Sequence, residues 1–463
     1  MALVAGSFFA VGAPTVVAAV GTHPAATVSI HPMVSSRFAS KTQPPTEAQC
    51  VAAFTVPCYD PAQIETAYNE QPLFTHGITG RGQTIVIVDS FGSPTIKSDL
   101  ATFDKQTGLP APPSFKIIQP AGAVPPYDPT NGAMVSWAGE TTLDVEWSHS
   151  IAPGASIVLA ETPVAETEGT AGFPQIVKAE NYVINHHLGQ VISQSFAATE
   201  QTFPTAQSLL KLRSAYINAY FHRVTVLAGS GDWGSTGYSN VAGTLLYTHP
   251  AVNWPASDPL VTGVGGTQLS LNAAGQRTAP DMVWNDTYNT ALQEVFFGNP
   301  GPNALAAGGG KSVIFPRPYY QNGVANVVGS ARGVPDISMS AACSGLVVTY
   351  QSFAPSTPGW YVVCGTSEAT PLFAGIVALA DQVAGHSLGL INPALYFLSA
   401  VHAPGLVDVT QGNNTVSFTQ NGKLHTVPGF SAGPGYDLAS GVGTVNAALF
   451  VPELAQAAGG HWH

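Results

Sequence analysis

The chain has 463 residues, of which 45% are hydrophobic and only 9% are charged. That hydrophobic fraction is enough for a large core and excludes a disordered protein. The net charge of −12, from 27 Asp and Glu against 15 Lys and Arg, argues against a nucleic-acid partner, which would need clustered positive charge. With so few carboxylates, little stability is lost when they are protonated. The composition therefore suits an acidic medium, and it equally suits a secreted protein with a nearly neutral surface.

The N-terminal segment, residues 1–25, is apolar and rich in small residues. It is similar to the hydrophobic part and cleavage zone of a secretory signal, although no Lys or Arg precedes Arg37. Pro14 interrupts it, so it is a poor candidate for crossing a bilayer. Residues 26–57, rich in Pro, Ser, Thr and Ala, are predicted to be a flexible leader. We expect a secreted protein with no membrane span.

The four cysteines form two pairs that are local in sequence, Cys50 with Cys58 and Cys343 with Cys364. An even, locally paired number favours two disulfides formed in an oxidising compartment. Four buried thiols are the alternative. The cysteines show no CxxC or Cys/His spacing of a metal site.

From about residue 60, short β-branched runs alternate with helical stretches such as 206–219. Runs of this kind are typical of strands buried on both faces of a parallel sheet. We predict an α/β fold with a doubly wound, mostly parallel sheet, helices on both faces, and one catalytic domain over residues 58–457. The active site is then expected beyond the carboxyl ends of the strands. The predicted strands are 82–89, 155–160, 190–193, 224–228 and 260–264.

A Gly365-Thr-Ser367 turn opens an apolar helix and carries the strongest local signal. It places Ser367 at a helix N-terminus, where backbone N–H groups can face an oxyanion. Pro371 is tolerated there because it falls in the first turn. We predict that Ser367 is a nucleophile; an ordinary N-cap serine is the alternative.

Two carboxylates follow the 131–139 stretch and open a predicted helix. Glu140 and Asp144 are four residues apart, so they share one helical face and can share one proton. One of the two would then remain an ionised base in acid. Glu146 points elsewhere and is left out of the site. The alternative is a solvated acidic helix start favoured by the helix dipole.

Two more aspartates stand at predicted strand ends. Asp232, flanked by glycines, can approach a substrate backbone and, if protonated, donate to an oxyanion; an Asx-turn is the alternative. Asp89 stands where a subtilisin would carry its triad aspartate, but no histidine lies in a His-Gly-Thr setting. We expect a structural or secondary polar role for Asp89, and surface or core roles for His76 and His149.

Taken in order, the Glu-x-x-x-Asp, Ser-Gly-Asp-x-Gly and Gly-Thr-Ser-x-x-x-Pro motifs resemble those of the sedolisin family of serine-carboxyl peptidases, from about residue 58 to 450. The resemblance implies a subtilisin-like fold, with Ser367 as nucleophile and Glu140 as its general base and acid. It further implies that Asp144 holds Glu140 and that Asp232 is the oxyanion-hole acid. Where the family has Ser-Trp-Gly, this chain has Ser195-Phe-Ala.

The expected activity is that of a monomeric, secreted, acid-acting endopeptidase on protein or peptide substrates. A disulfide between Cys343 and Cys364 would brace the nucleophile turn. A tripeptidyl-peptidase, a catalytically inactive binding module and a neutral subtilisin-like peptidase are the alternatives. Large N-terminal prosegments are usual in the family, and the leader here is far shorter.

One structural Ca²⁺ is also expected, in a C-terminal site. Asp408-Val409 is followed by a Gly-Pro-Gly-Tyr-Asp run, whose spacing alone is a weak signal because Gly-Pro-Gly is also a turn. The resemblance implies that the ligands are the side chains of Asp408 and Asp437 and the carbonyls of Val409, Gly433 and Gly435.

Overall fold

A computed structural model describes residues 34–37, 40 and 42–459. The predicted signal-like segment, residues 1–25, lies outside the described residues. The strands are β1 (Val34–Arg37), β2 (Cys58–Tyr59), β3 (Thr84–Ser90), β4 (Phe115–Ile118), β5 (Ser156–Thr162), β6 (Val191–Gln194), β7 (Ala198–Thr199), β8 (Thr225–Gly229), β9 (Asn253–Trp254), β10 (Thr262–Gln268), β11 (Met282–Val283), β12 (Gly310–Pro316), β13 (Ala331–Val334), β14 (Ile337–Ser340), β15 (Leu346–Gln351), β16 (Gly359–Cys364), β17 (Leu406–Val407), β18 (Val416–Gln420), β19 (Lys423–Val427) and β20 (Thr444–Val445).

The helices vary from one turn to five. They are α1 (Glu47–Phe54), α2 (Pro61–Ala67), α3 (Gln71–Thr75), α4 (Ile96–Thr107), α5 (Gly132–Ile151), α6 (Phe173–Asn185), α7 (Ala206–Leu210), α8 (Ser214–His222), α9 (Thr290–Phe297), α10 (Ala325–Val328), α11 (Thr366–Ala384), α12 (Asn392–Ala400) and α13 (Ala447–Gly459). Among the described residues, none of the helices combines the length and apolar character that a membrane span needs.

The central sheet has eight strands, in the order β4-β5-β3-β6-β8-β10, with β14 parallel to β10. Only the short β11 is antiparallel, at the end of β10. The chain leaves β3 toward β4 and β5 on one side and then continues with β6 on the other, so the winding reverses between β3 and β6. In open α/β sheets, ligands bind at the carboxyl ends of the strands at such a reversal. The predicted doubly wound, mostly parallel sheet is confirmed.

Both faces of the sheet are covered. Successive side chains of a strand point to opposite faces, and on β3 the side chains of both faces are buried. On β3, Ile85 and Ile87 belong to one core cluster, together with Leu143 of α5. Val86 and Val88 belong to the other, with residues of α6 and α8. All five predicted strands are present, each within two residues of its predicted start.

The helices α5 and α11 pack closely against each other, and this contact sets the geometry of the site. A Cβ atom added to Gly375 of α11 would lie 2.5 Å from Cβ of Ile151 on α5. Glycine therefore permits a helix separation that any other residue would widen. The residues at the beginning of α11 and in the middle of α5 are brought together by this contact.

A second sheet, of order β1-β16-β15-β2, lies where α11 begins. Both predicted disulfides are formed: Cys50 with Cys58, with Cα atoms 5.7 Å apart, and Cys343 with Cys364, with Cα atoms 5.0 Å apart. The second disulfide ties the last residue of β16, directly before Gly365, to the loop that follows β14.

Three local expectations differ from the structure. Helix α5 begins at Gly132, where the Asn131 side chain accepts hydrogen bonds from the next backbone amides, so Glu140 lies inside the helix rather than at its start. The predicted 206–219 helix is divided by a short 3₁₀ segment, Lys211–Arg213. In its described part, the predicted flexible leader forms strand β1 and helix α1.

Candidate active site

The four predicted catalytic residues lie on three elements that meet at the carboxyl end of the sheet. Glu140 and Asp144 are in the third and fourth turns of α5, Asp232 follows β8, and Ser367 is the second residue of α11. All four are almost completely buried, with at most 2% of their surface exposed. Burial removes water from the charged groups and makes their mutual interactions strong.

Ser195 contacts both of the helices that carry predicted catalytic residues, α5 and α11. It directly follows β6, at the reversal of the sheet, and its hydroxyl lies 2.7 Å from Oδ1 of Asp144, to which it donates. The same hydroxyl lies 3.4 Å from the backbone carbonyl of Ser367. One hydroxyl thereby contacts both Asp144 on α5 and the backbone of Ser367 on α11.

Asp232 is held beside the nucleophile turn by Thr366. Its Oδ1 accepts hydrogen bonds from the Thr366 amide at 2.7 Å and the Thr366 hydroxyl at 2.8 Å. Among the described residues, its Oδ2 has no hydrogen-bond partner. A Cβ atom on Gly365, whose φ is +122°, would lie 3.0 Å from this Oδ2, so the Asp232 carboxyl packs directly on the turn. Burial raises the pKa of Asp232 to about 6, and the hydrogen bonds from Thr366 oppose that rise.

The Glu140 carboxyl is surrounded by other acidic groups. Burial raises its pKa well above the usual value, and the negative charge of Asp144 raises it further. The Ser367 hydroxyl is close enough to lower this pKa, at a separation longer than a formed hydrogen bond. Catalytic hydrogen bonds are often long in the absence of substrate. The arrangement thus places a proton acceptor next to the Ser367 hydroxyl.

Asp144 shares its surroundings with Asp89, at the end of β3. Burial raises the pKa of Asp144 well above the usual value, the charge of Asp89 acts in the same direction, and the Ser195 hydroxyl opposes both. Burial raises the pKa of Asp89 itself to about 7. Glu140, Asp144 and Asp89 therefore form a buried group of carboxyls that share protons, because three adjacent charges cannot all be ionised at low cost. Asp89 is a polar neighbour of the site.

The other acidic and histidine residues considered in the sequence lie elsewhere. Glu146 faces β15, where its Oε2 accepts a hydrogen bond from the Tyr350 amide at 3.0 Å. His149 is buried, with its Nε2 2.7 Å from the carbonyl of Pro110, and burial lowers its pKa to about 4. His76 is exposed on the helix α3 end. Neither histidine approaches Ser367 in the way that a catalytic base would.

The five predicted calcium ligands come together in one loop region. Asp408 Oδ2 accepts a hydrogen bond from the Gly435 amide at 2.9 Å, and Asp437 Oδ2 accepts one from the Gly433 amide at 3.1 Å. The carbonyl of Val409 lies 3.5 Å from the Ser440 hydroxyl, which also contacts Asp437. Two carboxylates and a nearby carbonyl are oxygen donors of the type that Ca²⁺ prefers, so the residues present fit this ion.

Two residues of the site were missed at the sequence level. In the sequence, Ser195 is only a departure from a motif, and Thr366 is only the middle residue of the Gly-Thr-Ser turn. Their partners, Asp144 and Asp232, are 51 and 134 residues away in sequence. Local patterns carry no signal for contacts of this kind.

Comparison with known proteins gives relatives over most of the chain, although no family model matches it. Kumamolisin from Bacillus sp. (strain MN-32) is 31% identical over 396 residues, which are 83% of this chain and 62% of kumamolisin. A tripeptidyl-peptidase of Aspergillus fumigatus is 31% identical over 267 residues, 55% of this chain and 41% of the relative. This chain therefore spans less than two thirds of the length of these curated relatives.

Among solved structures, that of Pseudomonas sedolisin, a serine-carboxyl proteinase complexed with two molecules of pseudo-iodotyrostatin, superposes with a TM-score of 0.68. The two chains are 24% identical, and the match covers 86% of this chain and 97% of sedolisin. The fold is thus the subtilisin-like α/β fold of the serine-carboxyl proteinases. The resemblance noted in the sequence is confirmed: kumamolisin and the sedolisin of Pseudomonas sp. (strain 101) are 31% and 27% identical to this chain over 83% and 90% of its length.

Proposed function

We propose that the protein is a secreted, acid-acting serine-carboxyl endopeptidase. The observation that carries this proposal is the convergence of a buried Ser367 with Glu140, next to an Asp232 that is fixed on the turn before the nucleophile. A nucleophile, a base and an oxyanion donor are the three groups that acyl transfer requires. Kumamolisin and sedolisin are relatives of the same family.

In the proposed acylation step, the Ser367 Oγ attacks the carbonyl carbon of the scissile peptide while Glu140 takes the hydroxyl proton. The carbonyl π electrons move to oxygen and give a tetrahedral oxyanion. Glu140 then transfers its proton to the nitrogen of the leaving amine, the C–N bond breaks, and an ester on Ser367 remains. In deacylation, a water molecule attacks the ester, with Glu140 again as base and then as acid, and the Ser367 hydroxyl is restored.

Asp232 is proposed to stabilise the oxyanion as a protonated acid. Its Oδ1 is occupied by the two hydrogen bonds from Thr366, which leaves Oδ2 to carry the proton and donate it. Because burial raises the pKa of Asp232 to about 6, the acid form is the main form in an acidic medium. Such a donor is positioned before the reaction and gains strength in a dry site. Above its pKa, the same group would be an anion and would repel the oxyanion.

The role proposed for Asp144 is to hold Glu140 and tune it. When Asp144 is ionised, its charge raises the pKa of Glu140. When Asp144 is protonated, this charge is absent, so the pKa of Glu140 is lower and Glu140 ionises at lower pH. A carboxyl base still functions where an imidazole would be fully protonated. This argues against the neutral subtilisin-like alternative, in which a histidine would be needed next to Ser367.

We further propose one structural Ca²⁺, bound by the side chains of Asp408 and Asp437 and the carbonyls of Val409, Gly433 and Gly435. When bound, the ion would neutralise two carboxylates and fix the loop; no catalytic step passes through it. Secretion is supported by the two disulfides, since these persist in oxidising compartments.

Ser367→Ala tests the proposed activity. The purified variant should remain folded and lose essentially all hydrolysis of casein at pH 4, because the acyl-enzyme cannot form. Ser98→Ala, on the exposed side of α4, is the matched control and should keep full activity. Equal residual turnover in both variants would remove Ser367 from the mechanism. A wild-type protein that binds casein without cutting it would support the inactive binding module instead.

Peptides with and without an acetylated N-terminus separate the two peptidase activities. An endopeptidase cleaves both forms, whereas a tripeptidyl-peptidase needs the free terminus and releases three residues at a time. We expect internal cleavage of the acetylated peptide, with products identified by mass spectrometry. Release of tripeptides from the free form alone would establish the alternative.

A further inference from the structure

Strand β1 lies on the edge of β16, close to the nucleophile. The two strands are antiparallel, with Val34 opposite Cys364 and Arg37 opposite Tyr361. The contact continues at Ser40, whose backbone carbonyl accepts a hydrogen bond from the Trp360 amide at 3.3 Å. An extended segment from the N-terminal part of the chain therefore occupies this edge.

The direction of β1 relates it to the reaction. Strand β16 runs into Gly365 and ends three residues before Ser367. Since β1 is antiparallel, its N-terminal end is next to the nucleophile turn, and the strand leads away from the site as residue numbers rise. A substrate paired in the same way would place on β16 the residues that follow its scissile bond.

Strand β16, with which β1 pairs, is apolar and buried over its whole length. Trp360 and Val362 are fully buried and Val363 is 3% exposed, and on the opposite side β16 is already paired with β15. Without β1, the outer N–H and C=O groups of β16 would have no strand partner, and such edges accept other extended peptides. A cavity of about 220 Å³ adjoins this edge, lined in part by Val363, Phe353 and Gly139, the residue before Glu140.

We propose that the edge of β16 is the docking surface for the leaving-group half of the substrate, and that residues 34–37 are its resident occupant. This proposal rests on the peptidase function argued above. The substrate would add to β16 as an antiparallel strand, and its first side chains beyond the scissile bond would reach the 220 Å³ cavity. The two occupants exclude each other, so β1 competes with long substrates and leaves short ones unaffected.

A double substitution, Ser35→Pro with Ser36→Pro, tests the competition in the full-length chain. Adjacent residues of a strand direct their N–H groups to opposite sides, so one of the two prolines must remove a donor to β16. Ser35→Ala with Ser36→Ala is the matched control, because it keeps the backbone donors. Substrates with four residues after the scissile bond are compared with substrates that end in a simple amide there. Intact mass confirms that residues 34–37 are still attached.

For the proline variant, KM for the long substrates should fall about tenfold, while KM for the short substrates stays the same. The alanine variant should match the wild type with both. An equal KM change for long and short substrates, or no change for either, would overturn the proposal.

Hydrogen exchange gives a second measurement that does not depend on activity. In a Ser367→Ala background, the outward amides of β16 should exchange faster when the prolines are present. A synthetic peptide of residues 33–40 added to that variant should restore their protection. Unchanged exchange in the proline variant would contradict the docking surface. If the peptide restores protection but the wild-type protein shows no peptidase activity, the docking surface is upheld and only the proposed function is refuted.

Discussion

The amide and the hydroxyl of Thr366 donate to the same oxygen of Asp232, at 2.7 and 2.8 Å. The two hydrogen bonds to Oδ1 fix the plane of the carboxyl group, so that Oδ2 faces the turn at Gly365. Thr366, which precedes the proposed nucleophile Ser367, therefore also positions the proposed oxyanion donor. Because these hydrogen bonds favour the charged carboxylate, Thr366 also sets the pH at which Asp232 loses its proton.

The first prediction concerns the alkaline limb of the pH profile. Activity should fall as pH rises through about 6, because the Asp232 proton is then lost. Asp232→Asn keeps a donor that does not titrate, so this limb should disappear, with a peak rate lowered by roughly tenfold. Thr366→Val removes one hydrogen bond to the charged form and should move the limb to higher pH. The readout is kcat/KM from pH 3 to 8, and a wild-type optimum at or above pH 7 would contradict the assignment.

The second prediction concerns Ser195, which acts on the reaction through Asp144. Ser195→Ala should lower kcat by roughly tenfold with little change in KM, since a hydrogen bond to a charged group is lost. Loss of the hydroxyl also raises the pKa of Asp144, which places less charge beside Glu140. The acid limb should therefore move to lower pH. Ser195→Thr keeps the hydroxyl and should restore the wild-type limb; an unchanged limb in Ser195→Ala would rule out the positioning role.

The third prediction concerns calcium. If the site binds Ca²⁺, the wild-type unfolding temperature should rise with Ca²⁺ concentration and fall with a chelator, with about 2.7 kcal/mol gained at one hundred times Kd. Asp437→Ala should abolish this dependence, because one of two carboxylate ligands is lost. Asp128→Ala, an exposed aspartate far from the loop in sequence, should leave it intact. A wild-type unfolding temperature that changes with neither calcium nor chelator would disprove the site.

The fourth prediction concerns stability. Burial raises the pKa of Glu168 and Asp381 to about 8 and that of Glu65 and Asp104 to about 7. A carboxyl whose pKa is raised on folding stabilises the folded state fully at pH values below its unfolded-state pKa of about 4. This contribution is lost as pH rises through the folded-state pKa. The unfolding temperature should therefore fall between about pH 4 and pH 8.

Glu168→Gln provides the direct test of this dependence. Glutamine is neutral at every pH and keeps an acceptor for the Thr199 amide, which lies 2.8 Å from the Glu168 carboxyl. The variant should melt at a higher temperature than the wild type at pH 8 and should show a weaker pH dependence. Glu294→Gln, at an exposed position, is the control and should match the wild type. Stability that increases from pH 4 to pH 8 would refute the argument.

The fold could be predicted well from the sequence because its information is local. A strand buried on both faces needs a continuous β-branched run, and Ile85 to Val88 carry that signal within four residues. The predicted start of helix α5 is too late because the prediction overlooks the cap at Asn131, whose side chain accepts hydrogen bonds from the Ala133 and Met134 amides. The alternative interpretation of Glu140 as part of a solvated helix start is wrong, because Glu140 is fully buried.

Of the candidate site, only the residues that belong to sequence motifs could be predicted. Ser367, Glu140, Asp144 and Asp232 follow from recognisable patterns, and their catalytic roles stay predictions until they are tested. The hydrogen bonds that position them cannot be predicted in this way. The contact between Ser195 and Asp144 depends on where β6 ends relative to α5, and this is determined by the packing of the whole sheet.

The close contact between Gly375 and Ile151 joins two helices that lie far apart in sequence and that carry the proposed catalytic residues. Ser367 and Glu140 are more than two hundred residues apart in sequence, and five of the parallel strands of the central sheet lie between their helices along the chain. Contacts of such long sequence separation are costly in loop entropy and form late. Recovery of hydrolysis after dilution from denaturant should therefore lag behind recovery of helical circular dichroism. The time course of hydrolysis would then report when α5 and α11 pack together.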